Sequence, residues 1–565
     1  MVDMEMDETN ISRAKSNEPK GEKFPLLPIA SKYPYTSPPS ESRIFSSFST
    51  YFSKSWIPHS LLSSISNIPS IISYALTTII SHIPPTPLFY LSTSFSYIST
   101  ILSSLIKRRK NRKLFFIFSQ LFLTFTIYRY YIAGPFLPFS CQVIGLGCPN
   151  IKINGFASPE FGKVQKIFED NFKNGLDVGA GVSVYYDNKL VVDLQGGIAD
   201  SSGKNYDEDT LQLIFSSSKV LSGIVVARLV EQGLLDYSSK ISKYWPEFAQ
   251  GNKENVTLQN LMTHTAGVGF INPHQMSQKD LSDLDSLSEI LASQSHNFNG
   301  IPKKSYHAVT RGWYLNEIVR RVDPRHRTIG RIVAEEISPE YNIEFYHSIN
   351  SKSLYSRVAN IYTYPLVRIL AKVLLPKWMI SEPLHAVFDG MMEQGSIGYK
   401  TFIETSPDRS EPQDWNKLDM VRYEGPSYNG ITNSKSIAKL AAMMANQGKS
   451  LDDSKSKNYT FLEPTLISAK TYSLITTRLP TEYDAALHEN MTSTIGGFGC
   501  FRLEGIEDVE FMGWGGSGGS LFLWNEELKI GFGYVMNAFH TSLLGDKRSL
   551  KMLREVVDVV KKLRK

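Results

Sequence analysis

Three cysteines in 565 residues, Cys141, Cys148 and Cys500, exclude a disulfide-dense scaffold, and their spacing forms no zinc-ligand cluster. The sequence has no Gly-rich phosphate loop and no His-Glu-x-x-His, so phosphate-cradling and zinc-protease motifs are missing. Charge of one sign is also scarce. With 60 basic against 55 acidic residues the net charge is +5, too even for a nucleic-acid footprint. Acids among the first ten residues argue against a mitochondrial transit peptide, and a basic start for a secretory signal is lacking. Most unusual is the stretch 55–106, which contains no Asp, Glu, Lys or Arg.

What is present divides near residue 140. Residues 1–54 read as a polar, disordered tail rich in Ser and Pro. Residues 55–106 are Ser, Ile, Leu and aromatic, broken by prolines, and suit either a membrane hairpin or interfacial helices. The basic run KRRKNRK occupies 107–113, and the apolar segment 114–134 follows it. A bilayer-crossing helix needs about 20 apolar residues. The segment has that length, with Arg129 late enough to reach the interface and tyrosines suited to an interfacial belt, so it is a transmembrane candidate; a buried amphipathic helix is the alternative. If it spans, the basic run stays cytosolic and the chain beyond is lumenal or extracytosolic. Cys141 and Cys148 would then lie in an oxidising compartment and could pair. Asn255, Asn458 and Asn490 begin Asn-x-Thr sequons, with Asn458 in the most polar setting.

Residues 150–565 read as one domain. Two β-rich runs in 181–197 flank Asp187-Asn188, a hairpin signal. Residues 220–235 form a nearly all-apolar, hence buried, helix. Residues 256–267 read as a capped helix ending at Gly267, the middle region 275–480 as mostly helices and loops, and 509–539 as strands around a glycine-rich bend with a turn at Asn525-Glu526. The chain ends in an amphipathic basic helix, 547–565. Strands at both ends with helices between predict an α+β fold: one antiparallel sheet built from the two ends and packed by helices. In the middle, 364–379 places Leu366, Ile369, Leu370, Val373 and Leu374 on one helical face, with Arg368 and Lys372 off it and Pro376 at the end. It reads as a core helix or as a lid or interfacial helix.

Ser216-Ser217-Ser218-Lys219 puts a serine three positions before a lysine at the start of the buried helix. The spacing alone is common: Ser104 with Lys107 and Ser436 with Lys439 share it. The context differs. A buried helix start offers free N–H groups, and a desolvated lysine on the same face has its neutral form favoured, so it can accept a hydroxyl proton.

The stretches FSSSKVLSGIVVARLVEQGLLDYSSKISKYWPEF and VTLQNLMTHTAGV, with GWGGSGGS later, resemble the serine β-lactamase and penicillin-binding-protein superfamily, in its class C-like branch of carboxylesterases and eukaryotic β-lactamase-like proteins. The resemblance covers most of 155–545 and implies a β-lactamase/transpeptidase-like fold. It implies Ser216 as nucleophile, Lys219 and Tyr306 as general base and acid in an unassigned order, and the backbone N–H groups of Ser216 and Ser517 as oxyanion hole, with Trp514 and Gly516 on the substrate-side strand. Tyr314, with Asn316 two residues on, is the other candidate for the family's Tyr-x-Asn, although its surroundings read as helix packing. Ala308 then stands where the family has Asn, and His307 is a neighbour. Trp514 replaces the strand cation that meets an antibiotic carboxylate. No motif supports a catalytic triad through His264. The resemblance therefore implies an esterase-like serine hydrolase forming an acyl-enzyme on a small-molecule or lipid-like ester or amide, with no cofactor, metal or nucleic acid, and the segment 114–134 with the basic run before it adds the expectation of a membrane anchor. A peptidase or transacylase on the same residues, or a silent membrane-tethered scaffold, is the alternative.

Overall fold

The computed structural model describes residues 109–369, 391, 393–408, 415–451, 465–542 and 544–565, all within the unit Thr93–Lys565. The tail 1–54, the uncharged region 55–106, Ser104, Lys107, the sequon at Asn458 and positions 370–379 of the expected middle helix lie outside them.

The described chain begins with helix α1 (Arg109–Ile132), which starts inside the basic run rather than after it. The transmembrane reading of 114–134 is corrected here. Among the described residues no helix is long and apolar enough to cross a membrane. Ser119, Gln120, Thr124, Thr126, Arg129 and three tyrosines dilute the apolar run. Ile117, Phe118, Leu121, Phe122, Phe125 and Tyr128 are nevertheless exposed. The C-terminal end of α1 is tied to the rest of the domain. Gly134 N–H donates to Asn174 C=O at 2.8 Å, and Phe136 N–H to Gly175 C=O at 3.1 Å. Cys141 and Cys148 form a disulfide just beyond. Arg368 was expected off the apolar face of its helix, but it is buried. Its guanidinium donates to Tyr130 C=O and, at 3.1 Å, to Gln142 Oε1, and lies 4.4 Å from the Tyr130 ring. A cation at a helix C-terminus satisfies carbonyls that have no partner within the helix.

The strands follow the expected plan. β1 (Ile153–Ala157), α2 (Gly162–Lys173), β2 (Gly179–Tyr186) and β3 (Lys189–Gly197) form the first layer. Asp187 and Asn188 both take positive φ, 46° and 65°, as a two-residue hairpin turn matched to strand twist demands. β4 (Gln212–Leu213) leads into the buried helix α3 (Ser218–Glu231). A short helix α4 (Leu258–Met262) follows, capped by a reciprocal Thr257–Asn260 pair, and ends well before Gly267. Helix α5 (Thr310–Val322) comes next. The middle region also holds β5 (Phe345–Tyr346) and β6 (Ile431–Thr432), which join β4 in a small second sheet that the sequence pattern did not show. Two-residue strands leave no alternation to read.

Helix α6 (Ser434–Ala445) precedes β7 (Glu482–Asp484), β8 (Glu489–Ser493), β9 (Gly499–Arg502), β10 (Glu510–Gly515), β11 (Leu521–Asn525) and β12 (Ile530–Met536), and the chain closes with α7 (Lys547–Leu563). The main sheet has nine strands in the order β1-β3-β2-β12-β11-β10-β9-β8-β7, every pair antiparallel. The pairing of β2 with β12 joins the two ends of the domain, as expected from strands at both termini. Helices pack both faces. A Cβ on Gly531 would sit 2.4 Å from Ala442 N, so α6 lies directly on β12. Tyr534, three residues on and therefore on the other face, donates to Asp177, which also pairs with Arg548 of α7 at 2.8 Å.

Candidate active site

Ser216 lies in the turn between β4 and α3, two residues ahead of the helix rather than in its first turn. The turn is closed by N–H groups of Ser217, Ser218 and Lys219 donating to Ile214, Phe215 and Ser216 carbonyls at 3.2, 2.9 and 3.0 Å. Phe215, just before the serine, has φ 47°. A bulky residue in the left-handed region costs about 1–3 kcal/mol and persists only where the surroundings impose it. Here a backbone bridge to Asn429 and packing in a cluster with Leu213, Ile361 and Ile431 hold it.

Helix α3 is mostly apolar and, apart from its last turn, buried on every side, which draws Lys219 in with it: the lysine is 1% exposed. Its Nζ meets Ala308 C=O at 2.7 Å, Ser427 C=O at 2.9 Å and Ser216 Oγ at 3.3 Å. Burial pushes its pKa well down, and the nearby Arg311 guanidinium pushes it further. A neutral amine has two N–H donors and one lone pair. The two carbonyls take the donors, which leaves the lone pair for the Ser216 hydroxyl.

Tyr306 sits on the segment before α5. Its hydroxyl donates to Ser216 Oγ at 2.7 Å and accepts from Trp514 Nε1 at 3.2 Å. Burial raises its pKa to about 12, so it is a neutral phenol at ordinary pH. Trp514 at the end of β10 also stacks on the Tyr306 ring, with centroids 5.6 Å apart and planes 13° apart. Asp484 at the end of β7 accepts the Tyr306 backbone N–H at 3.0 Å, with those of Ala486 and Leu487 at 2.9 and 3.0 Å.

Beyond Trp514 the chain leaves the strand at Gly516. A Cβ there would stand 2.1 Å from Ile214 C=O, so only glycine lets this bend close onto the nucleophile turn. The N–H groups of Gly516, Gly518 and Gly519 are all bonded, at 2.9, 3.1 and 3.0 Å. Among the described residues no acceptor is paired with the N–H of Ser216 or of Ser517. Both residues line one cavity of about 220 Å³.

The structure thus brings Ser216, Lys219, Tyr306, Trp514, Gly516 and Ser517 together. The other candidates fall elsewhere. Tyr314 is fully buried and donates to Leu291 C=O at 3.0 Å, while Asn316 accepts from Ile329 N–H at 2.8 Å. His307 bridges Ser305 C=O at 2.6 Å and Val268 N–H at 3.2 Å, and burial lowers its pKa to about 3. His264 stands edge-on to the Tyr306 ring at 4.9 Å and is held neutral by burial. Ser436 accepts from Glu344 N–H at 2.9 Å, far from any base role. Among the described residues no group of His, Cys, Asp and Glu is arranged to hold a metal ion.

Sequence reasoning missed four contributors. Ala308 and Ser427 act through carbonyls, which have no side-chain signature. Asp484 lies 178 positions from Tyr306 with no motif around it. Arg311 is fully buried, with Nε and Nη1 unpaired and a pKa lowered by burial to about 10, so it stays a cation.

The family model described as Beta-lactamase matches residues 168–553. The chain is 25% identical over 300 residues to the esterase/beta-lactamase LipL of Mycobacterium tuberculosis, covering 53% of this chain and 66% of that relative, just under two thirds of its length. Among solved structures, a family VIII carboxylesterase matches with TM-score 0.60 and 28% identity over 72% of this chain and all of that one (100%). A penicillin-binding-protein homologue from Caulobacter crescentus matches with TM-score 0.59 and 26% identity over 72% and 100%. Fold, site geometry and these likenesses agree: the chain belongs to the β-lactamase family, within the serine β-lactamase and penicillin-binding-protein superfamily.

Proposed function

We propose that the protein is a serine hydrolase that cleaves ester or amide bonds through an acyl-enzyme, with esterase-like preference. The observation that carries this reading is the unbroken run of contacts from Trp514 Nε1 through Tyr306 OH and Ser216 Oγ to Lys219 Nζ, at 3.2, 2.7 and 3.3 Å. Lys219, the group whose neutral form burial favours, takes the Ser216 proton as Oγ attacks the carbonyl carbon. The free N–H groups of Ser216 and Ser517 receive the negative charge that develops on the carbonyl oxygen. Tyr306, a neutral phenol, delivers a proton to the leaving group, and the Lys219 ammonium, which carries the proton taken from Ser216 and whose Nζ lies 4.7 Å from the Tyr306 ring centroid, returns one to the phenolate. Water then releases the acid by the same steps in reverse. Relatives and neighbours described as esterases or carboxylesterases support the ester preference.

Replacing Ser216 with Ala removes the covalent route. Hydrolysis of p-nitrophenyl acetate and labelling by a fluorophosphonate should both vanish while the thermal melt is kept. Full activity in that variant overturns the reading.

We also propose that α1 seats the domain on a lipid bilayer in an oxidising, extracytosolic compartment. The exposed Ile117, Phe118, Leu121 and Phe122 follow directly on basic residues suited to anionic headgroups, and the Cys141–Cys148 disulfide supports that compartment. Asn255 and Asn490 are exposed, so sequons are available for glycans. Expressed in a glycosylating cell, the protein should gain mobility after N-glycan removal and float with vesicles. Digestion of the catalytic region in sealed microsomes refutes the sidedness.

A further inference from the structure

Ser216 and Ser517 line the cavity, and most of the rest of its wall is apolar and has no part in the mechanism. Phe215 begins that wall one residue from the nucleophile. Its ring stands edge-on to Trp415, with centroids 5.1 Å apart, and to Phe539, at 5.3 Å. Leu281, Phe402 and Met420 continue the wall. Among the described residues the wall holds no Asp, Glu, Lys or Arg. A charged group entering would lose its water without gaining a countercharge, whereas a hydrocarbon gains from leaving water. The left-handed backbone of Phe215 keeps its side chain in this aromatic cluster while Ser216 faces the proton relay.

We propose that the acyl portion of the substrate is an uncharged, apolar hydrocarbon chain that lies along Phe215, Trp415 and Phe539 with its carbonyl at Ser216. The proposal rests on the serine-hydrolase reading above and adds the substrate class. Phe215, Trp415 and Phe539 then set specificity.

The test is a series of p-nitrophenyl esters with one leaving group and a varied acyl chain, turned over by the full-length protein. From acetate to hexanoate, kcat/KM should rise about fourfold per methylene, the worth of removing each from water. The monoester of succinic acid, close to butanoate in length but charged, should fall at least about tenfold below butanoate. Trp415→Ala, and separately Phe539→Ala, should lower the hexanoate-to-acetate ratio about tenfold. That ratio does not depend on how much of a variant folds. A flat wild-type series, a succinate ester as good as butanoate, or a ratio unchanged in both variants overturns the acyl assignment while ester turnover leaves the hydrolase intact. If no ester is turned over and Ser216 takes no fluorophosphonate label, the hydrolase reading fails and the acyl assignment falls with it.

Discussion

Gly516 is the position where one added carbon reports most directly on how the site is assembled. Its Cβ would lie 2.1 Å from Ile214 C=O and 2.3 Å from Ser520 Oγ, against 3.4 Å for ordinary contact. The serine hydroxyl can rotate away, but the carbonyl is backbone. The bend must therefore retreat from the nucleophile turn by 3.4 − 2.1 = 1.3 Å. Ile214 belongs to the turn that carries Ser216, and Gly516 directly precedes Ser517. The retreat thus separates the two N–H groups that share the carbonyl oxygen. Misplacement on the order of 1 Å costs about a hundredfold in rate. Overpacking adds about 1–3 kcal/mol of destabilisation, small enough to leave a folded protein. Gly516→Ala should therefore lower kcat/KM for p-nitrophenyl acetate about a hundredfold, with the fall in kcat rather than in KM, while a thermal melt still shows a cooperative transition. Fluorophosphonate labelling should slow in parallel, because it uses the same oxygen site. A folded variant with activity within about threefold of wild type refutes the assigned oxyanion pair.

Two further outcomes follow from the electrostatics. Lys219 acts as base only when neutral, and its folded pKa is pushed down by burial first and by Arg311 second. The acidic limb of kcat/KM against pH should therefore lie below the ordinary lysine range, with activity rising as pH rises through it. Arg311→Met removes the cation, so the limb should move to higher pH, and an unmoved limb with a normal melt contradicts the assignment of Lys219 as base. Separately, the described cavity wall offers no cation to a β-lactam carboxylate. A missing charge-assisted hydrogen bond is worth about 1.5–3 kcal/mol, on the order of tenfold to a hundredfold or more. Neutral esters should be hydrolysed faster than nitrocefin by at least that factor, and equal rates contradict the argument.

Five strands of the main sheet, β2, β3, β10, β11 and β12, were legible in the sequence because they are rich in β-formers and their turns carry recognisable residues, as at Asp187-Asn188, whereas β1, β7, β8 and β9 were not read from it. The second sheet was not, since β4, β5 and β6 are two residues each and pair through tertiary proximity. The apolar run at 114–134 shows why composition alone misleads about membranes. Its length suits a span, yet the polar residues spread through α1 leave it short of the apolarity a span needs, and Arg368, expected to face away, instead holds its end to the domain.

The sequence by itself determined the chemical inventory: a serine and a lysine three positions apart at the head of an apolar helix, a tyrosine before the next long helix, and a glycine-rich strand end. Local spacing and hydrophobic pattern act over a few residues, so one chain of letters carries them. Tertiary structure alone decided what those groups do to each other. It set Lys219 between the Ala308 and Ser427 carbonyls, placed an unpaired guanidinium nearby, and brought Asp484 178 positions along the chain to hold Tyr306. Basicity in a protein interior depends on desolvation and on charges arriving from distant segments, and only the folded chain brings those together.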